Sequence, residues 1–135
     1  MIISLSCNAK KHYNLQKLNN HIFITLTLNN KPALFIIDSG STKSIIDISK
    51  SKVFAFNYIE FGDQKYMGIG GLSQIYMVYD YTVKEISTPF LGVNLSQMTS
   101  LFDANGAEIA GILGSDFLND NEVIINFKNN TLTMK

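Results

Sequence analysis

One cysteine, two histidines and no excess of either charge leave several kinds of chemistry without their usual residues in this chain. A single cysteine, Cys7, excludes an intramolecular disulfide framework and leaves the redox compartment open. His12 and His21 stand in no spacing with other ligands that suggests zinc, so no metal and no cofactor is expected; both read as solvated or strand-lining side chains. There is no Gly-x-Ser-x-Gly elbow with a histidine downstream, and serine-hydrolase chemistry therefore lacks its parts. Eleven basic and eleven acidic residues cancel. Without a basic stripe to neutralise phosphates, nucleic acid is not an expected partner. No apolar run approaches the length of a membrane-spanning helix, so no transmembrane segment is expected. No repeat, linker or low-complexity tract divides the 135 residues, which are one domain's worth. A hydrophobic content of 46%, with 11% aromatics, fills a modest core.

The first residues, Met1-Ile2-Ile3-Ser4-Leu5-Ser6-Cys7, are apolar but short, and no basic segment precedes them. They read as an ordinary first strand with a buried thiol, which places the chain as it stands in the cytoplasm. The alternative is a lipid-anchored Cys7 on a bacterial cell envelope, which requires further residues upstream.

What is present is mostly strands and turns. His21 to Leu28 is rich in β-branched and aromatic residues, with Thr25 and Thr27 alternating against Ile24, Leu26 and Leu28. Asn29-Asn30-Lys31-Pro32 supplies turn chemistry, and Ala33 to Ile37 returns as the second arm of a hairpin. Ser44 to Ile48, Phe54 to Phe61, Gln74 to Val83 and Lys84 to Leu95 are further expected strands, and a glycine cluster joins the second to the third. Ser96 to Asp103 predicts one irregular helical turn, and Asn105-Gly106 a tight turn before a strand from Glu108 to Leu113. Ser115 is placed to cap a short helix through Leu118. Val123 to Phe127 and Thr131 to Met134 form a hairpin by spacing. Such a chain is all-β, and its edges must pair or close, which predicts a small closed barrel-like domain with one or two short helices.

The most informative stretch is Leu34-Phe35-Ile36-Ile37-Asp38-Ser39-Gly40-Ser41-Thr42, an apolar strand that runs straight into an acid and small hydroxyl residues. A carboxylate there must share a proton, bind a ligand or accept hydrogen bonds from its loop, because an unpaired buried charge is too costly. Gly40 lets the backbone turn sharply and approach that carboxylate. Asp116 reads as an acid at a helix N-terminus that satisfies backbone amides. Asp47, Asp63, Asp80, Asp103 and Asp120 are expected to face water.

Asp38-Ser39-Gly40-Ser41 resembles the Asp-Thr/Ser-Gly-Ala/Ser signature of aspartic proteases. Two more segments follow in the order of that family. Gly68-Ile69-Gly70-Gly71 resembles the glycine-rich flap tip of retropepsin-like proteases, and Ile112-Leu113-Gly114-Ser115-Asp116-Phe117-Leu118 resembles their apolar-apolar-Gly segment with its short helix. The match spans residues 21 to 135, leaving 1 to 20 as an N-terminal extension or first strand.

The resemblance implies an aspartic endopeptidase acting on a peptide or protein substrate. Its chemistry needs two facing carboxylates and the chain has one Asp-Ser-Gly, so the implied unit is a homodimer with Asp38 of each copy on the twofold axis. Asp38 then serves as general base in one copy and general acid in the other. Ser39 matches the residue that ties the two loops across the axis. Ser41 is expected to donate a hydrogen bond to the Asp38 carboxylate, with Thr42 completing the loop. Met67, Gly68, Ile69, Gly70 and Gly71 would form the flap over the substrate, with Tyr66, Met67 and Ile69 as pocket or flap side chains. Ile112, Leu113, Gly114 and Asp116 would support the acidic loop.

Two other readings have sequence grounds. The fold can serve as a peptide-binding or dimerisation module with weak or no catalysis. Asp38-x-Gly40-x-Thr42 also looks like the phosphate loop of actin-like and sugar-kinase ATPases, although those enzymes need a second domain and further nucleotide motifs.

Overall fold

The computed structural model describes residues 10–68, 71–102 and 108–135. Cys7, Ile69, Gly70, Asp103 and the Asn105-Gly106 turn lie outside them. The described chain is mostly β, with eleven strands and three helices of four to six residues. The strands are β1 (Lys11–Asn14), β2 (Gln16–Leu18), β3 (His21–Leu28), β4 (Lys31–Ile37), β5 (Ile45–Asp47), β6 (Asn57–Gly68), β7 (Gly71–Tyr79), β8 (Leu91–Val93), β9 (Ile109–Leu113), β10 (Ile124–Asn126) and β11 (Thr131–Met134). The helices are α1 (Ser51–Phe54), α2 (Ser96–Thr99) and α3 (Ser115–Asp120), and a 3-10 turn covers Ile48–Lys50.

Eight strands form one sheet in the order β2-β3-β4-β9-β5-β8-β7-β6, and β1, β11 and β10 form a second. The expectation of a closed barrel goes further than the described pairings, which leave β2 and β6 at the two ends of the large sheet.

The β3–β4 hairpin turns through Asn29 and Asn30, both in the left-handed region at φ 47° and 68°. This is the twist a two-residue hairpin turn needs, and asparagine tolerates it better than most residues. β4 then lies between antiparallel β3 and parallel β9. Its near-continuous apolar run is explained by burial on both faces. Phe35 packs in a core with Ile24, Leu26, Phe54, Phe117 and Leu132, while Leu34 and Ile36 point to a second core with Phe23, Ile45, Val93 and Ile112. A strand held on both faces and both edges delivers Asp38 to a fixed place.

The structure differs from the sequence expectations at several elements. Lys84 to Leu95 is a strand only over β8; before it, Lys84 N donates to Thr27 O, Phe90 N donates to the Tyr81 hydroxyl, and Pro89 has no N–H for a ladder. Phe54 closes α1 instead of opening a strand, and β6 runs on to Gly68 through an irregularity between Glu60 and Lys65, where Gly62 has φ 62°. Ser115 is the first residue of α3, whose N-cap is Gly114 with no side-chain cap bond. Asp47 does not face water: it is 0% exposed at the end of β5.

Candidate active site

β4 and β9 run parallel with Ile37 opposite Leu113, and the amide of Asp38 continues their pairing by donating to Leu113 O at 3.0 Å. Asp38 therefore leaves the sheet beside Gly114. The chain then folds back at once: Ser41 N donates to Asp38 O at 3.1 Å, and Gly40 N donates to Asp38 Oδ1 at 2.9 Å. That amide satisfies one lone pair of the carboxylate and fixes its orientation in the loop. A Cβ on Gly40 would stand 3.2 Å from that same oxygen.

Gly114 is the close-packing point beneath this loop. Ser115 N donates to Ser41 O at 2.7 Å, and a Cβ at position 114 would come within 2.5 Å of Ser41 O and 2.6 Å of Lys43 O. Only glycine fits there without a shift of backbone. Ser44 fastens the same corner. Its hydroxyl donates to Asp116 Oδ1 at 2.6 Å and accepts from Gly114 N at 3.0 Å, while its amide donates to Asp116 Oδ2 at 3.0 Å. Asp116 thus does more than satisfy its own helix, where Oδ1 accepts from Phe117 N; it joins α3 to the acidic loop.

Ser41 does not donate to Asp38 as expected. It is 4% exposed, and its Oγ lies 2.7 Å from Lys43 O and 2.9 Å from the Tyr66 hydroxyl. A carbonyl only accepts, so the single serine proton goes to Lys43 O and Tyr66 must be the donor to Ser41. The hydrogen bond that steadies the carboxylate comes instead from the Gly40 amide. Tyr66, on β6, is thereby tied to the acidic loop and also packs on the core of Phe23, Ile45, Val93 and Ile112.

These parts line an open cavity of about 640 Å³. Asp38, Gly40 and Ser41 line one side, and Ile112 with Val93 adds apolar surface. Tyr66, Met67, Leu72 and Ser73 reach it from the β6–β7 hairpin, and Asn94 to Met98 form a further wall. Among the described residues that line it, Asp38 is the only carboxylate or ammonium group. At the hairpin's outer end Gly68 pairs with Gly71, whose φ is 95°, and Met67 and Leu72 are 70% and 66% exposed. Exposed apolar side chains at a hairpin end, beside a cavity, are available to a ligand.

The sequence-predicted residues sort as follows. Asp38, Gly40, Ser41, Met67 and Ile112 come together at the cavity. Ser39 and Thr42 are exposed on the same loop and do not line the cavity; Leu113 is buried in the core, and Gly114 and Asp116 brace the loop from behind. Gly68 pairs with Gly71 in the hairpin, and Ile69 and Gly70 are outside the described residues. Sequence reasoning missed the wall from Val93 to Met98 and the hairpin's Leu72 and Ser73. No local motif marks them; a carboxylate at Asp47 within Ile45-Ile46-Asp47-Ile48 is the nearest signal, because an acid inside an apolar run needs donors from elsewhere.

No family model matches the chain, and no curated protein matches its sequence. Solved structures do match. A retropepsin-like aspartic protease from Rickettsia conorii superposes with a TM-score of 0.52 at 12% identity, covering 93% of this chain and 89% of that one. The EIAV protease, complexed with the inhibitor HBY-793, gives 0.53 at 20% identity over 80% of this chain and 91% of that one. The retroviral protease-like domain of Ddi1 from Leishmania major gives 0.52 at 18% identity over 85% and 88%. The chain has the fold of the retropepsin-like aspartic proteases.

Proposed function

We propose that this protein is an aspartic endopeptidase whose working unit is a homodimer. The observation that carries the reading is the position of Asp38, at the end of a doubly buried strand, braced by the Gly40 amide and facing a cavity beneath a β-hairpin. One chain supplies one such carboxylate. Ser39 and Gly40 are exposed beside it, which leaves this edge of the loop open to a second copy.

In the dimer two Asp38 carboxyls share one proton, since two like charges at close range do not both ionise cheaply. The ionised one takes a proton from a water as its oxygen attacks the scissile carbonyl carbon, and the protonated one donates to the carbonyl oxygen. Collapse of the resulting diol breaks the C–N bond, with a proton delivered to the leaving nitrogen. No bond forms between enzyme and substrate. The β6–β7 hairpin acts as the flap that covers an extended peptide. With Asp38 as the sole carboxylate or ammonium among the described residues that line the cavity, uncharged and largely apolar side chains are the ones accommodated beside the scissile bond.

The test is cleavage of a mixed peptide library, read by mass spectrometry at acidic and neutral pH, with the wild-type chain and Asp38→Asn. The wild type is expected to cut at a restricted set of sites. Asp38→Asn keeps the side-chain shape but removes the base and the shared proton, and should cut none while its melting transition stays in place. Cleavage retained by Asp38→Asn would overturn the assignment. A wild-type chain that dimerises and binds peptides without cutting any would make it a peptide-binding module.

A further inference from the structure

The wall from Asn94 to Met98 is held locally by Ser96 N donating to Asn94 Oδ1 and Thr99 N to Leu95 O, and by Leu95 and Met98 packing on the second core, but it pairs with no strand among the described residues. It leaves β8 after Val93 and passes into α2, a four-residue helix with no side-chain cap, and so short a helix gains little from its own hydrogen bonds. Yet this segment supplies Asn94, Leu95, Ser96, Gln97 and Met98 to the cavity.

What meets it from behind is a buried charge. Asp47 is 0% exposed, and among the described residues the ion pairs are Lys50 with Glu108 and Lys135 with Glu122, neither of which includes it. Its carboxylate is satisfied by neutral donors. Oδ1 accepts from Leu95 N at 3.0 Å, Ser49 N at 3.0 Å and Ser49 Oγ at 2.8 Å, and Oδ2 accepts from Thr99 Oγ1 at 3.3 Å. β5 and β8 run parallel with Asp47 opposite Val93, so the carboxylate sits where the wall begins. Leu95 and Thr99, its two distant partners, bracket α2.

We infer that Asp47 is a positioning residue for substrate binding: it hangs the 94–98 wall on β5 and thereby sets the shape of the cavity that Asp38 also lines. It touches no substrate. Its effect is on how tightly an apolar side chain is gripped between the wall and Ile112, and not on the bond-breaking step. This rests on the protease reading for its kinetic arm only.

The experiment compares wild type, Asp47→Ala, Asp47→Asn and Thr99→Val. Amide hydrogen exchange is read along the chain, and KM and kcat are read on a library-derived peptide. In Asp47→Ala the Leu95 amide loses its acceptor, so exchange should rise across 94–99 while 34–37 and 109–113 stay protected. KM should rise about tenfold with kcat changed by less than about twofold, as expected for loss of a charge-assisted hydrogen bond that holds a binding surface. Asp47→Asn should recover most of both, because its amide oxygen still accepts from Leu95 N and its NH₂ group faces a hydroxyl able to accept. Thr99→Val is the milder variant in case Asp47→Ala does not fold, and should raise exchange at 94–99 and shift KM about threefold. Unchanged exchange at 94–99 in Asp47→Ala or, if that variant does not fold, in Thr99→Val would overturn the inference. So would a fall in kcat at constant KM, or a loss of protection spread evenly over the whole chain. If the wild type cuts no peptide, the protease reading fails while the exchange arm still decides the role of Asp47.

Discussion

Tyr66 and Ser41 show how one hydroxyl can set the position of a whole hairpin. The serine proton is committed to Lys43 O, so the phenol of Tyr66 supplies the bond between β6 and the acidic loop. Tyr66→Phe keeps the ring against the second core and removes only that donor. A neutral hydrogen bond of this kind contributes about 1 kcal/mol. The expected outcome is a hairpin that exchanges its amides faster over 65–67 and 72–74 and a KM raised about fivefold, with the melting temperature within a few degrees of wild type. Hydrogen exchange with Michaelis kinetics checks it. Exchange and KM both at wild-type values would show that the ring's packing alone seats the hairpin.

At the scale of elements, the site depends on β9 and α3 approaching the acidic loop more closely than any side chain at position 114 permits. Ser41 O and Lys43 O stand 2.5 and 2.6 Å from where a Cβ would be, and both are backbone, which cannot rotate away. Gly114→Ala must therefore push the Asp38 loop off β9 or break the Ser115 N to Ser41 O bond. Overpacking against backbone costs about 3 kcal/mol or somewhat more. Urea unfolding should show that loss, together with peptide cleavage reduced at least tenfold as Asp38 is displaced. Wild-type stability in Gly114→Ala would mean that the loop relaxes at no cost and does not set the carboxylate's position.

For the molecule as a whole, the proposed reaction makes activity a property of assembly. Each chain carries one Asp-Ser-Gly, so specific activity should climb with protein concentration and level off once the dimer is saturated. Mixing wild type with a ninefold excess of Asp38→Asn, after time for exchange, should leave about one tenth of the activity per wild-type chain, since random pairing traps most good subunits beside a defective one. Light scattering run in parallel gives the mass. Activity per wild-type chain independent of both dilution and mixing would place the second carboxylate within one chain and sink the dyad.

Local chemistry made much of this legible in the sequence. The β3–β4 hairpin follows from β-branched alternation around Asn29-Asn30, β4 from an apolar run that only two-sided burial explains, and the C-terminal hairpin from turn residues at Lys128 to Asn130. Asp38 was identifiable because an acid closing such a strand demands a partner. Tertiary structure decided the rest. Asp47 reads as a strand-edge acid because only its Ser49 donors are local; Leu95 and Thr99, which bury it against the wall, lie 48 and 52 residues away, beyond any window of sequence. The resemblance implies a Ser41 bond to Asp38, whereas the folded chain gives the serine proton to Lys43 O and its lone pair to a tyrosine on another strand. Lys84 to Phe90 has strand-like residues, but its backbone partners are a strand end and a side chain instead of a neighbouring strand. Periodicity and turn propensity act over a few residues and are written in the sequence in order; a cavity wall is made by segments that meet only after the sheet has formed, so its residues carry no shared local pattern.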